Sequence, residues 1–301
     1  MSEVDERRSW TQLRRFEFLE WKMFWEDRVI RNDLEKTFDI STPQASVDLR
    51  NYREIAPDNM EQTARGYRAA VSFKPRYLKV SADRLLLQLR AYLSDVITRS
   101  DLWFKDLPTV DTAPDVVRSV APECLRSFLR AIRERTAIEI GYHALSGPSR
   151  RTIAPHALVF DGHRWHARAW CCKNEDFRDF VLSRIDNIGQ ETPVEYDAKE
   201  DLEWQRKLVL KIRPHRGLTS SQANAIKLDY GMSDGCLDVE MRASVAYYFI
   251  RRMNLDLKQS EVLTPQRLQI ELENLEEVNL QIEAAKAETK LLVDVRRTAA
   301  K

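Results

Sequence analysis

Glycine is scarce, with 8 in 301 residues. Loops that cradle phosphates need it for close backbone approach, and neither GxGxxG nor GxxxxGK[ST] occurs. Eleven prolines in the same length exclude a fibrous chain or a Pro-rich disordered one. The four cysteines, Cys124, Cys171, Cys172 and Cys236, include no CxxC pair. The adjacent pair 171–172 cannot easily bridge, so all four are expected to be reduced thiols. No stretch free of Asp, Glu, Lys and Arg exceeds ten residues, as in 217–226, whereas a membrane span needs about 20 apolar residues. The charged start Met1–Arg8 leads into no apolar segment. The expectation is a chain without a secretory leader or a membrane partner, working in the cytoplasm and on the nucleoid. Net charge is nearly absent too: Lys+Arg 48 against Asp+Glu 47 gives +1.

The kind and placement of charge say more. Arginine outnumbers lysine 34 to 14, and its planar fork suits phosphate recognition. Residues 1–90 carry 17 − 15 = +2, residues 91–124 carry 3 − 6 = −3, residues 125–190 carry 11 − 7 = +4, and residues 191–301 carry 17 − 19 = −2. Positive charge is therefore concentrated in the first and middle parts. With 43% hydrophobic residues the chain can bury real cores, and its length fits two or three domains.

Residues 10–90 read as three helices and a hairpin. Leu13, Phe16, Leu19 and Phe24 with Trp21 and Trp25 form the stripe of a first helix. A short helix covers 31–38, and a turn at Asp39-Ile40-Ser41 follows. Thr42-Pro43-Gln44 then opens a third helix, with Ser41 or Thr42 as cap and Pro43 tolerated in the first turn. Strands at 60–64 and 67–73 around Arg65-Gly66 complete a winged helix-turn-helix. Leu85, Leu86, Leu89, Leu93 and Val96 predict a helix over 82–107, and Pro108, Pro114 and Pro122 punctuate an acidic connector. After a short helix at 123–136, strands at 138–142, 151–160, 164–172 and 177–185 suggest a small barrel, with Asp161-Gly162 as a hairpin turn. Mixed elements follow: strands at 208–213 and 236–243, helices at 220–230 and 245–254, and a long charged helix over 265–290. That last helix, with leucines at 268, 272, 275 and 280, either packs on its own domain or makes a dimer contact.

In the third helix, Ala45, Leu49 and Tyr52 share the inward face, which leaves Gln44, Val47, Arg50, Asn51 and Glu54 outward. Arginine can read guanine, and Gln or Asn can read adenine. The DNA-facing set on this reading is Ser41, Thr42, Gln44, Val47, Arg50 and Asn51, with Arg65, Tyr67, Arg68 and Lys74 of the wing on backbone phosphates. The other reading is an ordinary solvated helix face.

In the strand over 164–170, Arg164, His166, Arg168 and Trp170 alternate on one face, opposite a core face of Trp165, Ala167, Ala169 and Cys171. Three potentially cationic groups on one face repel unless an anion or carboxylates compensate. Tyr142, Ser146, Arg151, His156, Arg178 and Arg184 lie nearby in sequence and could complete an anion pocket. Equally, the arginines could pair with Asp176, Asp179 and Asp186. Four of the five histidines fall between 143 and 166, but no ligand spacing accompanies them, so neither metal nor cofactor is expected. GxSxG is absent and no carboxylate pair suits acid–base work, so an enzyme is not expected.

The segments Arg151-Thr152-Ile153-Ala154-Pro155-His156, Asp161-Gly162-His163-Arg164-Trp165-His166-Ala167-Arg168-Ala169 and 177–185 resemble the WYL domain. The order of parts is similar to the BrxR/CapW subgroup of WYL-domain regulators, repressors associated with anti-phage defence operons. The Trp-Tyr-Leu signature itself reads Trp165-His166-Ala167 here. The resemblance implies an α+β multidomain chain: a winged helix-turn-helix at 1–80, a helical linker at 81–124, a WYL domain with an Sm-like small β-barrel at 125–200, and a C-terminal α/β dimerisation region at 201–301. It implies a homodimer that binds an inverted-repeat operator in double-stranded DNA. It also implies an anionic nucleotide or oligonucleotide effector held by Tyr142, Ser146, Arg151, His156, His166, Arg168, Arg178 and Arg184. The competing expectation is an accessory protein that binds RNA or single strands without operator specificity.

Overall fold

The computed structural model describes residues 10–113, 116, 118–257 and 264–299. Met1–Arg8 and Pro114 lie outside them. No helix among the described residues is long and apolar enough to cross a membrane. The chain divides into two compact units, Met1–Val116 and Val117–Lys301.

The first unit runs α1 (Trp10–Glu26), α2 (Arg31–Phe38), α3 (Thr42–Ile55), β1 (Met60–Thr63), β2 (Gly66–Ala69) and α4 (Ala82–Leu93). Phe16, Leu19 and Met23 of α1, Leu34 of α2, and Ala45, Leu49 and Tyr52 of α3 meet in one buried core. Asp39, in the left-handed region at φ +50°, ends α2. Ser41 caps α3, its Oγ accepting from the Gln44 N–H at 3.4 Å. Gly66, at φ +138°, closes the wing where a Cβ would sit 2.5 Å from the Val29 carbonyl oxygen. That approach lets Val29 and Tyr67 exchange backbone hydrogen bonds at 2.8 and 2.9 Å, clamping the wing to the chain ahead of α2.

A buried carboxylate organises this unit. Glu20 has no solvent exposure. Its Oε1 accepts from the Arg76 N–H and the Tyr52 hydroxyl, both at 2.8 Å. Its Oε2 accepts from the N–H groups of Tyr77 at 2.7 Å and Leu78 at 2.6 Å. Burial, reinforced by the Glu20 charge, pushes the Tyr52 phenol up. Two expectations are corrected here. The helix expected over 82–107 stops at Leu93, because Asp95 turns left-handed at φ +55°. A separate 3-10 turn at Arg99–Asp101 follows, so Val96 is not helical. The second wing strand ends at Ala69 rather than at residue 73.

The second unit begins with α5 (Pro122–Glu134). Five antiparallel strands follow: β3 (Ala137–Ala144), β4 (Gly147–Phe160), β5 (Trp165–Cys171), β6 (Asp176–Val181) and β7 (Ile185–Thr192), in spatial order β6-β5-β4-β3-β7. Among the described residues no ladder joins β6 to β7, so the sheet is open where a closed small barrel was expected. The reason is local. A 3-10 turn at Leu182–Arg184 carries the chain from one sheet edge to the other. A side chain rather than a strand bridges across, with the Tyr142 hydroxyl accepting from the Val181 N–H at 3.3 Å. One face of the sheet, with Ile138, Ile140, Ala167 and Ala169, packs on Phe128 of α5.

Next come α6 (Leu202–Gln205), β8 (Lys207–Pro214), α7 (Ser220–Asp229), β9 (Leu237–Arg242), α8 (Ala243–Arg252), α9 (Pro265–Leu268), β10 (Ile270–Leu272) and α10 (Leu275–Ala299). The long helix expected over 265–290 is broken. Gln269 at φ +56° ends α9, and β10 then joins β8 as the third strand of a β10-β8-β9 sheet. The true long helix starts at Leu275 and runs to Ala299. Its Val293 packs with Ala154, Trp170 and Phe177, so α10 reaches back onto the five-stranded sheet.

Replacing Glu20 by Gln turns one acceptor into an NH₂ donor that faces backbone donors. Glu20→Gln is expected to lower the stability of the winged-helix unit by about 2–4 kcal/mol, measured by urea unfolding followed through tryptophan fluorescence.

Candidate nucleic-acid interface and ligand site

The exposed side of α3 carries the residue types that read bases. Ser41, Thr42, Gln44 and Arg50 are exposed, Val47 and Asn51 are half-buried, and Ala45, Leu49 and Tyr52 lie in the core. Asp48, fully buried, anchors the helix through Arg15 at 2.6 Å and holds the Gln44 amide at 3.3 Å. Arg50 makes no ion pair among the described residues, so its guanidinium is available to a ligand. On the wing, Arg65 is exposed and Arg68 is held by Glu61 at 2.7 Å. Tyr67 is half-buried against the core, and the Arg53 guanidinium, missed in the sequence, lies 5.7 Å from its ring centre. Lys74 is exposed on a backbone pinned by Asn59, whose Oδ1 accepts from the Lys74 N–H at 3.0 Å. Helix face, wing tip and the backbone at Lys74 thus belong to one compact unit.

The eight positions expected around an anion divide into separate groups. His156, His166 and Arg168 come together, but beneath other residues. Arg168 is 3% exposed. It reaches Asp201 through Nε and NH2, both at 2.8 Å, Glu203 at 2.9 Å, and Asp179 at 3.3 Å. His156 meets Asp201 at 2.9 Å, and His166 meets Asp161 at 2.8 Å. Tyr248 of α8 lies against the His166 ring, with centroids 4.8 Å apart, and donates to Asp179 at 3.0 Å. The strand face that looked like an open cationic surface is covered by the chain's own C-terminal segments. Compensation comes from carboxylates: four of them face one guanidinium and two imidazoles.

The remaining five positions lie apart. Tyr142 packs on Phe180, and its hydroxyl links β3 to the end of β6. Ser146 sits exposed in the β3–β4 turn. Arg151 reaches Asn174 at 2.8 Å, Arg178 pairs with Asp176 at 2.8 Å, and Arg184 is half-buried in the 3-10 turn.

Charge and burial set the proton affinities in this cluster. Burial works against the Arg168 charge, but the hydrogen bonds from Arg168 to Asp201 and the attraction of Asp179, Asp201 and Glu203 raise its affinity above the usual arginine value. Burial pushes the Asp179 and Glu203 carboxyls up against the pull of Arg168. Burial alone would raise Asp201, but hydrogen bonds from Arg168 and His156 hold it below the carboxylate norm. At Asp161 burial is likewise outweighed, by hydrogen bonds from His166 and from the backbone N–H groups of His163 and Arg164, and the carboxyl sits at about 2. Beside it, Gly162 at φ +95° lets the Arg252 guanidinium of α8 rest where a side chain would be, 1.4 Å from an ideal Cβ position. Among the described residues no group of three or more His, Cys, Asp or Glu is placed to hold a metal ion.

Three family models match the chain in order. The winged helix-turn-helix domain of the BrxR transcriptional regulator matches residues 11–91, the WYL domain matches 123–189, and the BrxR C-terminal dimerization domain matches 207–278. A DNA-binding transcriptional repressor CapW of Escherichia coli (strain KTE188) is 37% identical over 280 residues, 89% of this chain and 91% of that one. The chain belongs to the BrxR/CapW family. CapW repressors of Stenotrophomonas maltophilia and Pseudomonas aeruginosa are 35% and 36% identical over 277 residues, again 89% of this chain and 91% of each relative.

Within this BrxR/CapW chain, Asp201 and Glu203 lie between the segments matched by the WYL and dimerization models, and Tyr248 lies inside the latter. None of the three is legible as a partner of Arg168 from spacing. The available signal was the unsatisfied charge of the 164–170 face itself.

The cluster makes two outcomes testable. Arg168→Met leaves three carboxylates buried without their cation and is expected to cost about 3–5 kcal/mol, read from urea unfolding. Adding Asp179→Asn, Asp201→Asn and Glu203→Gln should recover most of that loss. Arg168 substitutions therefore change the fold before they report on any effector. The second outcome concerns pH. Asp161 is held at about 2 against an ordinary 3.8. Its lowered value contributes about 2 kcal/mol, present in full above pH ~4 and lost as pH falls through about 2. The stability gap between wild type and Asp161→Asn should therefore be wider at pH 6 than at pH 3.

Proposed function

We propose that the chain is a homodimeric, DNA-binding transcriptional repressor. It reads an inverted-repeat operator with the exposed face of α3 in the major groove and the wing on phosphates. The observation that carries this reading is a helix face with exposed Gln44 and Arg50, on a well-anchored winged helix, in a chain whose relatives are named as DNA-binding repressors. Arg50 supplies base readout, with Gln44, Asn51 and the apolar Val47 beside it. Thr42 and the α3 N-terminus meet a phosphate, while Arg65, Lys74 and the Glu61-paired Arg68 position the wing. The region at 207–278 matches a dimerization domain, and two copies supply the two readers that an inverted repeat needs.

The regulated operon, on this reading, is an anti-phage defence operon. A nucleic-acid-type anion bound by the second unit releases the operator. Release requires the effector to favour one of two dimer geometries by differential affinity.

Arg50→Ala is expected to weaken binding to an inverted repeat from upstream of the protein's own gene by about 1–3 kcal/mol, with little change on unrelated duplex. Fluorescence anisotropy measures both. Equal operator affinity in wild type and variant removes Arg50 from the interface. Wild-type binding to single strands as tight as to the palindromic duplex overturns the repressor reading in favour of single-strand binding.

A further inference from the structure

Two clefts in the second unit carry enough cations to interest an anion, and their charge states differ. The cleft between β6 and α10 contains Arg178, Lys286, Lys290 and Arg297 beside four carboxylates, Glu175, Asp176, Glu203 and Asp294. Arg178, Lys286 and Arg297 are already paired, with Asp176 at 2.8 Å, Glu283 at 2.9 Å and Glu175 at 2.9 Å, and the carboxylates of the lining equal its cations in number. The other cavity, of about 480 Å³, lies beside the junction and is lined by Arg135, His156, Tyr196, Lys199 and Trp204 among others. Neither Arg135 nor Lys199 makes an ion pair among the described residues, and both are exposed. The lining has one carboxylate, Asp197, whose Oδ1 accepts from the Lys199 N–H at 2.9 Å, against the two cations.

The floor of this cavity is aromatic and firmly held. His156 stands edge-on to Trp204, with centroids 5.7 Å apart. Its Nε2 is bound to Asp201, and its Nδ1 has no partner among the described residues. Tyr196 leans on Phe177. Burial raises the Tyr196 phenol, the Arg135 charge pulls it back, and the Asp197 charge raises it again. The volume falls within the range of small-ligand sites, about 300–1,000 Å³. Aromatic walls beside unpaired cations suit a flat ring that carries a phosphate.

We propose that this cavity is a binding site for a nucleoside 5′-monophosphate, or for the same unit within a longer strand. The base lies against Tyr196 and Trp204, and the phosphate lies between Arg135 and Lys199. His156 Nδ1 is the polar group left to meet the ligand from below. One wall of the cavity in turn touches the segment that matches the dimerization domain, because the Arg242 guanidinium lies 4.2 Å from the Trp204 ring centre and also donates to the Trp204 carbonyl. Arg242 is the residue that leads into α8. This consequence for the dimer rests on the repressor reading, whereas the binding itself does not.

The test uses the full-length protein without DNA and isothermal calorimetry, so a failure of operator binding leaves its result readable. AMP is the probe, with adenosine and inorganic phosphate as separate arms. AMP should bind, and adenosine or phosphate alone should bind at least tenfold more weakly. The double variant Arg135→Glu/Lys199→Glu alters two exposed side chains. It should keep the wild-type circular dichroism and melting temperature and lose AMP affinity at least tenfold. Lys290→Glu in the α10 cleft should bind AMP as wild type does. No AMP binding at millimolar concentration overturns the proposal. So does a double variant that binds as well as wild type, or a Lys290→Glu variant that loses as much.

Discussion

A guanidinium keeps its charge at every accessible pH, so burying one forces the fold to supply anions around it. Arg168 sits on the middle of a strand with almost no exposure, and its counter-charges come from Asp179 on the next strand and from Asp201 and Glu203 beyond the sheet. That requirement ties the five-stranded sheet to the chain that follows it. It also fixes the ring of His156, orients Tyr248 through Asp179, and brings α8 against the β4–β5 hairpin. A buried ion cluster of this kind adds little net stability over an apolar equivalent, but it tolerates no missing member. Its contribution is to permit one docking arrangement of the sheet and the C-terminal segments.

The winged helix was legible because its signals are local. Asp39, Ser41 and Pro43 mark the ends of helices within a few residues, and the spacing of Ala45, Leu49 and Tyr52 divides α3 into a core side and a polar side. Glu20 could not be read the same way. Its partners at 76–78 lie more than fifty residues on, and nothing local sets it apart from Glu17 and Glu26 of the same helix. The 265–290 segment failed for the opposite reason. Leucine spacing there satisfies a helix, but Ile270 and Leu272 are drawn into the edge of a sheet whose other strands are distant in sequence.

The central strand shows where pattern reasoning divides. Alternation along 164–170 separated Ala167, Ala169 and Cys171 from His166, Arg168 and Trp170, but Trp165, expected on the core face, is 48% exposed at the strand's start, beside Phe160. Alternation cannot say what covers a face. A row of cationic groups looks the same whether it waits for a phosphate or for carboxylates from thirty residues away, and here Asp201 and Glu203 occupy it. Arg135 and Lys199, without an ion pair among the described residues, belong to a helix end and a turn, where no periodic signal marks them.

The hairpin glycine at 162 carries an obligation beyond its own turn. Its bare Cα is the seat on which the Arg252 guanidinium of α8 rests. A side chain there would strain the hairpin at φ +95° and push the Arg252 guanidinium off its seat. Because α8 falls in the stretch matching a dimerization domain, a single methyl group at this turn would disturb the seam between that stretch and the five-stranded sheet.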